Sequence, residues 1–202
     1  MRLMKHYKSI GLILILGIFI WSFIFMARHI EPAMAAEDQK LWSNGDWNVL
    51  TFVPKDWSWS ENYAEDIPVV FIPTGEDDKG IPDFVFVTHL GKQSVEDLES
   101  LKKEYISGLK KDLRNFKLNS SENVSTVEGL SAVDLSYTFT EGGKPALGYD
   151  RLVFTKENIL WAISFSAGQD DFKRLSEGAI SIIDAFVFDA ASWVKEKQKE
   201  ES

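Results

Sequence analysis

The chain contains no cysteine. Disulfides, a lipid-modified cysteine anchor, a thiol nucleophile and a cysteine-built zinc site are therefore all excluded. Histidine is almost as scarce: His6 and His29 fall in the first 35 residues, and only His89 lies beyond them. A serine triad would have to use His89, yet no G-x-S-x-G elbow supplies the nucleophile. At the end of an apolar run, His89 reads as a structural or partly exposed residue. Gly142-Gly143 lacks the G-x-x-x-x-G-K-[ST] frame of a phosphate loop. Paired carboxylates for glycoside hydrolysis can be drawn from many acids, but no sequence feature sets their separation. No catalytic residue is assigned, and the chain is read as non-enzymatic.

What is present starts at the N-terminus. Arg2, Lys5 and Lys8 precede an uncharged run from Ser9 to Ala27, and Ala33-Met34-Ala35 follows. A basic start, an apolar stretch and a small-x-small pattern are the parts of an export signal. Two outcomes stay open. Cleavage at Ala33-Met34-Ala35-Ala36 releases an acidic mature start. Alternatively, residues 9–27 are kept as a helical anchor in contact with the membrane, since at ~1.5 Å per residue they span ~28 Å, close to a bilayer's hydrocarbon thickness. In both cases the basic end stays inside and the rest faces out, so the expected location is extracytoplasmic: periplasmic, lumenal or secreted.

Residues 36–202 hold 18 of the 22 Lys and Arg and 30 of the 31 Asp and Glu, a net charge of −12. Nucleic acid is a poor partner for such a surface, because phosphates reward a basic stripe. The length suits one domain. The expected division is a signal peptide or anchor over 1–35, a linker over 36–46, a folded domain over 47–189 and a charged tail over 190–202.

Trp47 to Val53 reads as a strand stopped by Pro54. Residues 55–67 read as a polar, aromatic loop. Val69 to Ile72 is a short apolar run, and an acidic loop from Thr74 to Asp83 leads to Phe84–Leu90, apolar on both alternating sets and so a central strand. Ser94 then caps a helix in which Val95, Leu98, Leu101, Tyr105, Ile106, Leu109 and Leu113 share a face. Phe116 to Val127 is a mostly polar strand. Val133, Leu135, Tyr137 and Phe139 alternate with polar residues, as do Ile159, Trp161, Ile163 and Phe165, with Tyr149–Thr155 between them. Short loops make these strands antiparallel neighbours. Phe172, Leu175, Ala179, Ile182, Ile183 and Phe186 mark a last helix. The expected fold is α+β, a mostly antiparallel sheet between helices (α/β/α), preceded by the N-terminal apolar segment.

The order of these elements comes with recognisable segments. A strand of the form W-x-V-x-x-F-V-P-K-D-W runs from Trp47 to Trp57, and a capped helix follows a central strand. A late pair reads Gly148-Tyr149-Asp150-Arg151-Leu152-Val153-Phe154 and Ile159-Leu160-Trp161-Ala162-Ile163-Ser164-Phe165, and the final helix ends Ile182-Ile183-Asp184-Ala185-Phe186. Over roughly residues 45–188 the chain resembles the PsbP-like superfamily, which includes photosystem II extrinsic proteins, DcrB-type bacterial envelope proteins and a nuclear-import factor acting on the Ran GTPase. The resemblance implies a sheet between helices and a role in binding or assembly with an envelope or membrane protein complex. It carries no ligand motif onto this chain.

Two groups of residues are candidates for contact. Trp57, Trp59 and Tyr63 fall in the aromatic stretch after Pro54, and Trp193 stands in the charged tail; such side chains commonly anchor interfaces. Core packing is the competing account for Trp57. Glu76, Asp77, Asp78 and Asp83 supply oxygen ligands of the kind calcium takes, without the D-x-[DN]-x-[DN]-G frame. They carry the alternative reading, a periplasmic small-ligand or calcium-binding protein. No other cofactor is expected.

Overall fold

Short turns built on left-handed residues dictate most of the topology. The computed structural model describes residues 38–75, 83–94 and 97–200. Residues 39–44, expected to be linker, form β1 (Gln39–Asn44), which pairs antiparallel with β2 (Val49–Pro54). The loop between them closes because Asn44 Oδ1 accepts the N–H groups of Asp46 and Trp47, while Asn48 takes a φ of 53°. Asparagine tolerates that left-handed conformation better than most residues. Trp42 explains why this segment is folded rather than linking: its indole is buried against Phe71, edge to face at 5.4 Å.

The main sheet is seven-stranded and antiparallel throughout, in the order β3 (Trp57–Ala64), β4 (Ile67–Pro73), β5 (Val85–Lys92), β9 (Ile159–Gly168), β8 (Lys144–Phe154), β7 (Ser131–Glu141), β6 (Arg114–Ser125). Hairpin β7–β8 turns on Gly142 and Gly143, both at positive φ, the geometry of a two-residue turn whose twist matches the strands. Residues 57–64, expected to be loop, are a strand. Only Trp57 among them is buried, so the period-two signal of a half-covered strand is absent.

Alternation then sorts the side chains onto two faces. Val133, Leu135, Leu152, Leu160 and Ala162 face α1 (Leu98–Asp112), meeting Leu98, Leu101, Tyr105 and Ile106. Val85, Val87, Val153, Trp161, Ile163 and Phe165 face the other way, toward hairpin β1–β2 and α2 (Gln169–Asp184), whose Leu175, Ala179, Ile182 and Ile183 complete the larger core. Each large apolar side chain enclosed there contributes about 1.5–3 kcal/mol. The expected α+β layering is what the chain adopts. The cap of α1 differs from expectation: Asp97, not Ser94, accepts the N–H groups of Glu99 and Ser100. Within the charged tail Ala190–Glu200 forms α3. Among the described residues no helix is long and apolar enough to cross a membrane.

Candidate interaction surface

Hairpin β3–β4 leaves β3 on one edge of the sheet. Thr74 N–H donates to Asp56 O at 2.6 Å, which fixes the hydrogen-bonded register one residue before Trp57↔Pro73. In an antiparallel pair that register alternates. Ser58 and Ser60 therefore bond inward to β4, while Trp57, Trp59 and Glu61 turn their N–H and C=O groups outward. Pro73, which has no N–H, sits opposite Trp57 in the non-bonded register, where it costs the ladder nothing. Lys40 Nζ donates to the outward carbonyl of Trp57 at 2.8 Å. The same ammonium stands 5.7 Å from the Trp59 ring centroid, within cation–π range.

Both faces of this edge carry an aromatic group. Trp59, opposite Phe71, lies on the face shared with β1 and is 36 % exposed. Tyr63 follows a bulge at Asn62, φ 53°, which shifts the register between Glu61 and Ala64. Its ring is 54 % exposed and meets Phe86 edge to face at 6.3 Å. Glu61 is held from behind, its Oε1 accepting from Trp42 Nε1 at 2.9 Å. From Asp56 to Gly75 the sequence holds Asp56, Glu61, Glu65 and Asp66 and no lysine or arginine.

Inside the domain the polar groups are occupied with structure. Arg151 clasps Asp134 through Nε and Nη2 at 2.7 and 2.9 Å, and its Nη1 reaches Asp184 at 2.8 Å and the Ile183 carbonyl at 3.4 Å. Helix α2 has no basic residue in its last turn, so this guanidinium from β8 supplies the positive charge its C-terminus favours. On the opposite face Asp150 accepts from the hydroxyls of Tyr105 at 2.9 Å and Tyr137 at 3.2 Å. Burial pushes the Asp150 carboxyl up to about 6, against the hydrogen bonds of Tyr105, Ser164 and Tyr137. The Tyr105 hydroxyl is raised too, chiefly by burial and then by the Asp150 charge. His89 lies between Trp47 and Trp161, 4.8 Å from each ring, and burial lowers its pKa. Its ring neighbours are these two indoles, tilted or edge-on to it.

A second surface feature is a cavity of about 210 Å³ beside α3, lined by Glu128, Lys156, Phe188, Trp193 and Lys197 among others. Glu128 belongs to the packing: it accepts the N–H groups of Phe188 and Asp189 at 2.6 and 2.7 Å, and Asn48 Oδ1 accepts that of Ala191. Together they dock the start of α3.

The sequence candidates separate accordingly. Trp57 is 2 % exposed, and Gly178 of α2 lies against its indole, so it leaves the set of surface contacts and joins the core. Trp59 and Tyr63 come together on the β3 edge. Trp193 is half-buried, edge to face with Phe52 at 6.5 Å, and is remote in sequence and in element from that edge. Asp83 is nearly enclosed, while Glu76, Asp77 and Asp78, like Ala33, Ala35, Ala36 and residues 9–27, lie outside the described residues. Among the described residues no cluster of three His, Asp or Glu could hold a metal ion. Lys40 and Glu61 were not singled out as edge residues. The spacing Trp57, Trp59, Glu61 was the available signal, and the serines between them disguised it.

The geometry defines a class first: an antiparallel-sheet α+β domain with helices on both sheet faces and one aromatic, acidic open edge. No family model matches the chain, and no curated protein matches it. Solved structures do. The chain is similar to LpqN, involved in cell envelope biogenesis of Mycobacterium tuberculosis, at 16 % identity, with 79 % of this chain and 86 % of that one covered and a TM-score of 0.57. It is similar to cyanobacterial PsbP (CyanoP) from Synechocystis sp. PCC 6803 at 14 % identity, with 80 % and 98 % covered and a TM-score of 0.52. The fold is the PsbP-like fold.

Proposed function

We propose that this chain is an extracytoplasmic, non-enzymatic binding module of the cell envelope, contributing to the assembly of an envelope or membrane protein complex. The observation that carries the reading is the β3 edge, where exposed Trp59 and Tyr63 flank outward-facing backbone groups. Aromatic side chains beside the outward-facing backbone donors and acceptors of a sheet edge are what protein partners engage. The export signal read in residues 1–36 supplies the address, and the fold shared with LpqN and CyanoP is compatible with it. The module acts either free, after cleavage near Ala35, or tethered by residues 9–27.

The test is affinity isolation of the tagged full chain from solubilised native membranes. A defined envelope protein should co-isolate in stoichiometric amount. A chain that is solitary under mild detergent and after cross-linking contradicts the reading. Intact mass separates the two forms: loss of about the first 35 residues marks a free protein, and a full-length mass a tethered one.

A further inference from the structure

The two edges of the sheet are defended differently. On β6, Arg114, Lys117 and Glu122 place charges along the strand, and two register shifts distort it. Charges and bulges of this kind prevent an edge from pairing with another chain. On β3 there is no basic residue, and the one bulge comes only after Glu61, beyond the outward-facing groups of Trp57, Trp59 and Glu61. Among the described residues, only the Trp57 carbonyl of the outward groups has a capping side chain, Lys40. An edge left open in this way, with an aromatic group on each face, is a template for one more strand.

Charge selects the occupant. Asp56, Glu61, Glu65 and Asp66 border the strand within a domain of net charge −12; of the cations beside them, Lys40 is spent on the Trp57 carbonyl and the Trp59 ring, and Lys55 is paired with Asp38. A second copy docking edge to edge would bring two such sets together, and like charges across a strand pair are destabilising. A basic segment meets the opposite condition. We infer that β3 is a strand-addition site for an extended, lysine- or arginine-bearing segment of the envelope partner. The inference rests on the reading of the chain as an envelope binding module and adds where and how the partner binds. In the bound arrangement the segment's backbone bonds to Trp59 and Glu61. Its alternate side chains lie over Trp59 on one face and Tyr63 on the other, and its cations face Glu61, Glu65 and Asp66.

Hydrogen exchange of the full chain in detergent micelles, read by mass spectrometry, tests this with a capped nine-residue peptide alternating lysine and valine. At saturation the peptide should slow exchange across 57–63 by about tenfold or more, as new cross-strand bonds do, and leave 114–125 unchanged. The same peptide N-methylated at its four central residues, and a glutamate–valine analogue, should give no protection. Trp59→Pro deletes one outward N–H at an edge position that tolerates proline, and Tyr63→Lys adds a repelling charge without touching the core; each should abolish the effect. Protection by the N-methylated or acidic peptide overturns the inference, as does protection confined to 114–125. So does a β3 already protected in a concentration-dependent dimer. An envelope protein that still co-isolates with both variants would refute the strand-addition site while leaving the envelope-module reading standing; a solitary wild-type chain would refute that reading itself.

Discussion

Asp150 is the group whose behaviour the structure forecasts most sharply. It is completely enclosed between α1 and the sheet, accepts hydrogen bonds from Tyr105 and Tyr137, and has its carboxyl pushed up to about 6 by burial. The unfolded value is 3.8, so the folded state holds the proton more tightly than the unfolded one. The stabilisation this gives is fully present below pH ~3.8 and is lost as pH rises through about 6. The gap corresponds to about 3 kcal/mol in total, and roughly 1 kcal/mol of it falls between pH 7.5 and pH 5. Asp150→Asn has nearly the same shape, still accepts from the tyrosines and does not ionise. Chemical unfolding of both proteins at the two pH values isolates this group, because His89 and Glu128 titrate in both. His89, with its pKa lowered, acts in the opposite sense, and Glu128, raised by burial, in the same sense. Wild type should gain roughly 1 kcal/mol on the variant when pH falls from 7.5 to 5, equivalent to ~2–4 °C in Tm. A difference that is flat over this range, or that runs the other way, refutes the account of Asp150.

Further outcomes follow from packing. Gly178→Ala should destabilise by about 1–3 kcal/mol despite alanine's better helix propensity, because the new methyl group meets Trp57 Nε1 at 2.6 Å; denaturant midpoints measure it. Arg151→Met should cost about 3–5 kcal/mol by leaving Asp134 buried without its cation, and Arg151→Met with Asp134→Leu should recover most of the loss. Leu135→Asp and Ile182→Asp, at positions with no exposed surface on opposite faces of the sheet, should each abolish soluble folded yield; normal expression with an unchanged Tm would contradict the core assignment.

Elements with two dense apolar faces or strict alternation were legible in the sequence. The strands of Leu135 and Ile163 and the helices of Leu101 and Ile182 fell where the residue spacing put them. β1 and β3 were not legible, and for a shared physical reason. Each buries one large side chain, Trp42 or Trp57, and leaves the rest exposed or only partly covered, so neither shows the periodicity that marks a half-covered strand. The candidate site inherited that blindness. Trp59 and Tyr63 were visible as aromatic residues in a polar stretch, but their meaning lies in the strand register, and that depends on Thr74, Val69 and Phe71, which come later in the chain. Trp57 shows the converse: three residues from Pro54 and flanked by polar groups, it fits either a surface contact or the core by sequence, and Gly178, more than a hundred positions away, is what encloses it in the core.

The central claim is that β3 is the edge a partner uses. Site-specific photo-cross-linking in intact cells addresses it directly, with a photoreactive phenylalanine analogue replacing Tyr63 on β3 or Ser121 on β6, both exposed. A discrete adduct to one envelope protein from position 63, and none from position 121, is the predicted result. Adducts from position 121 with none from position 63, or none from either, would contradict it.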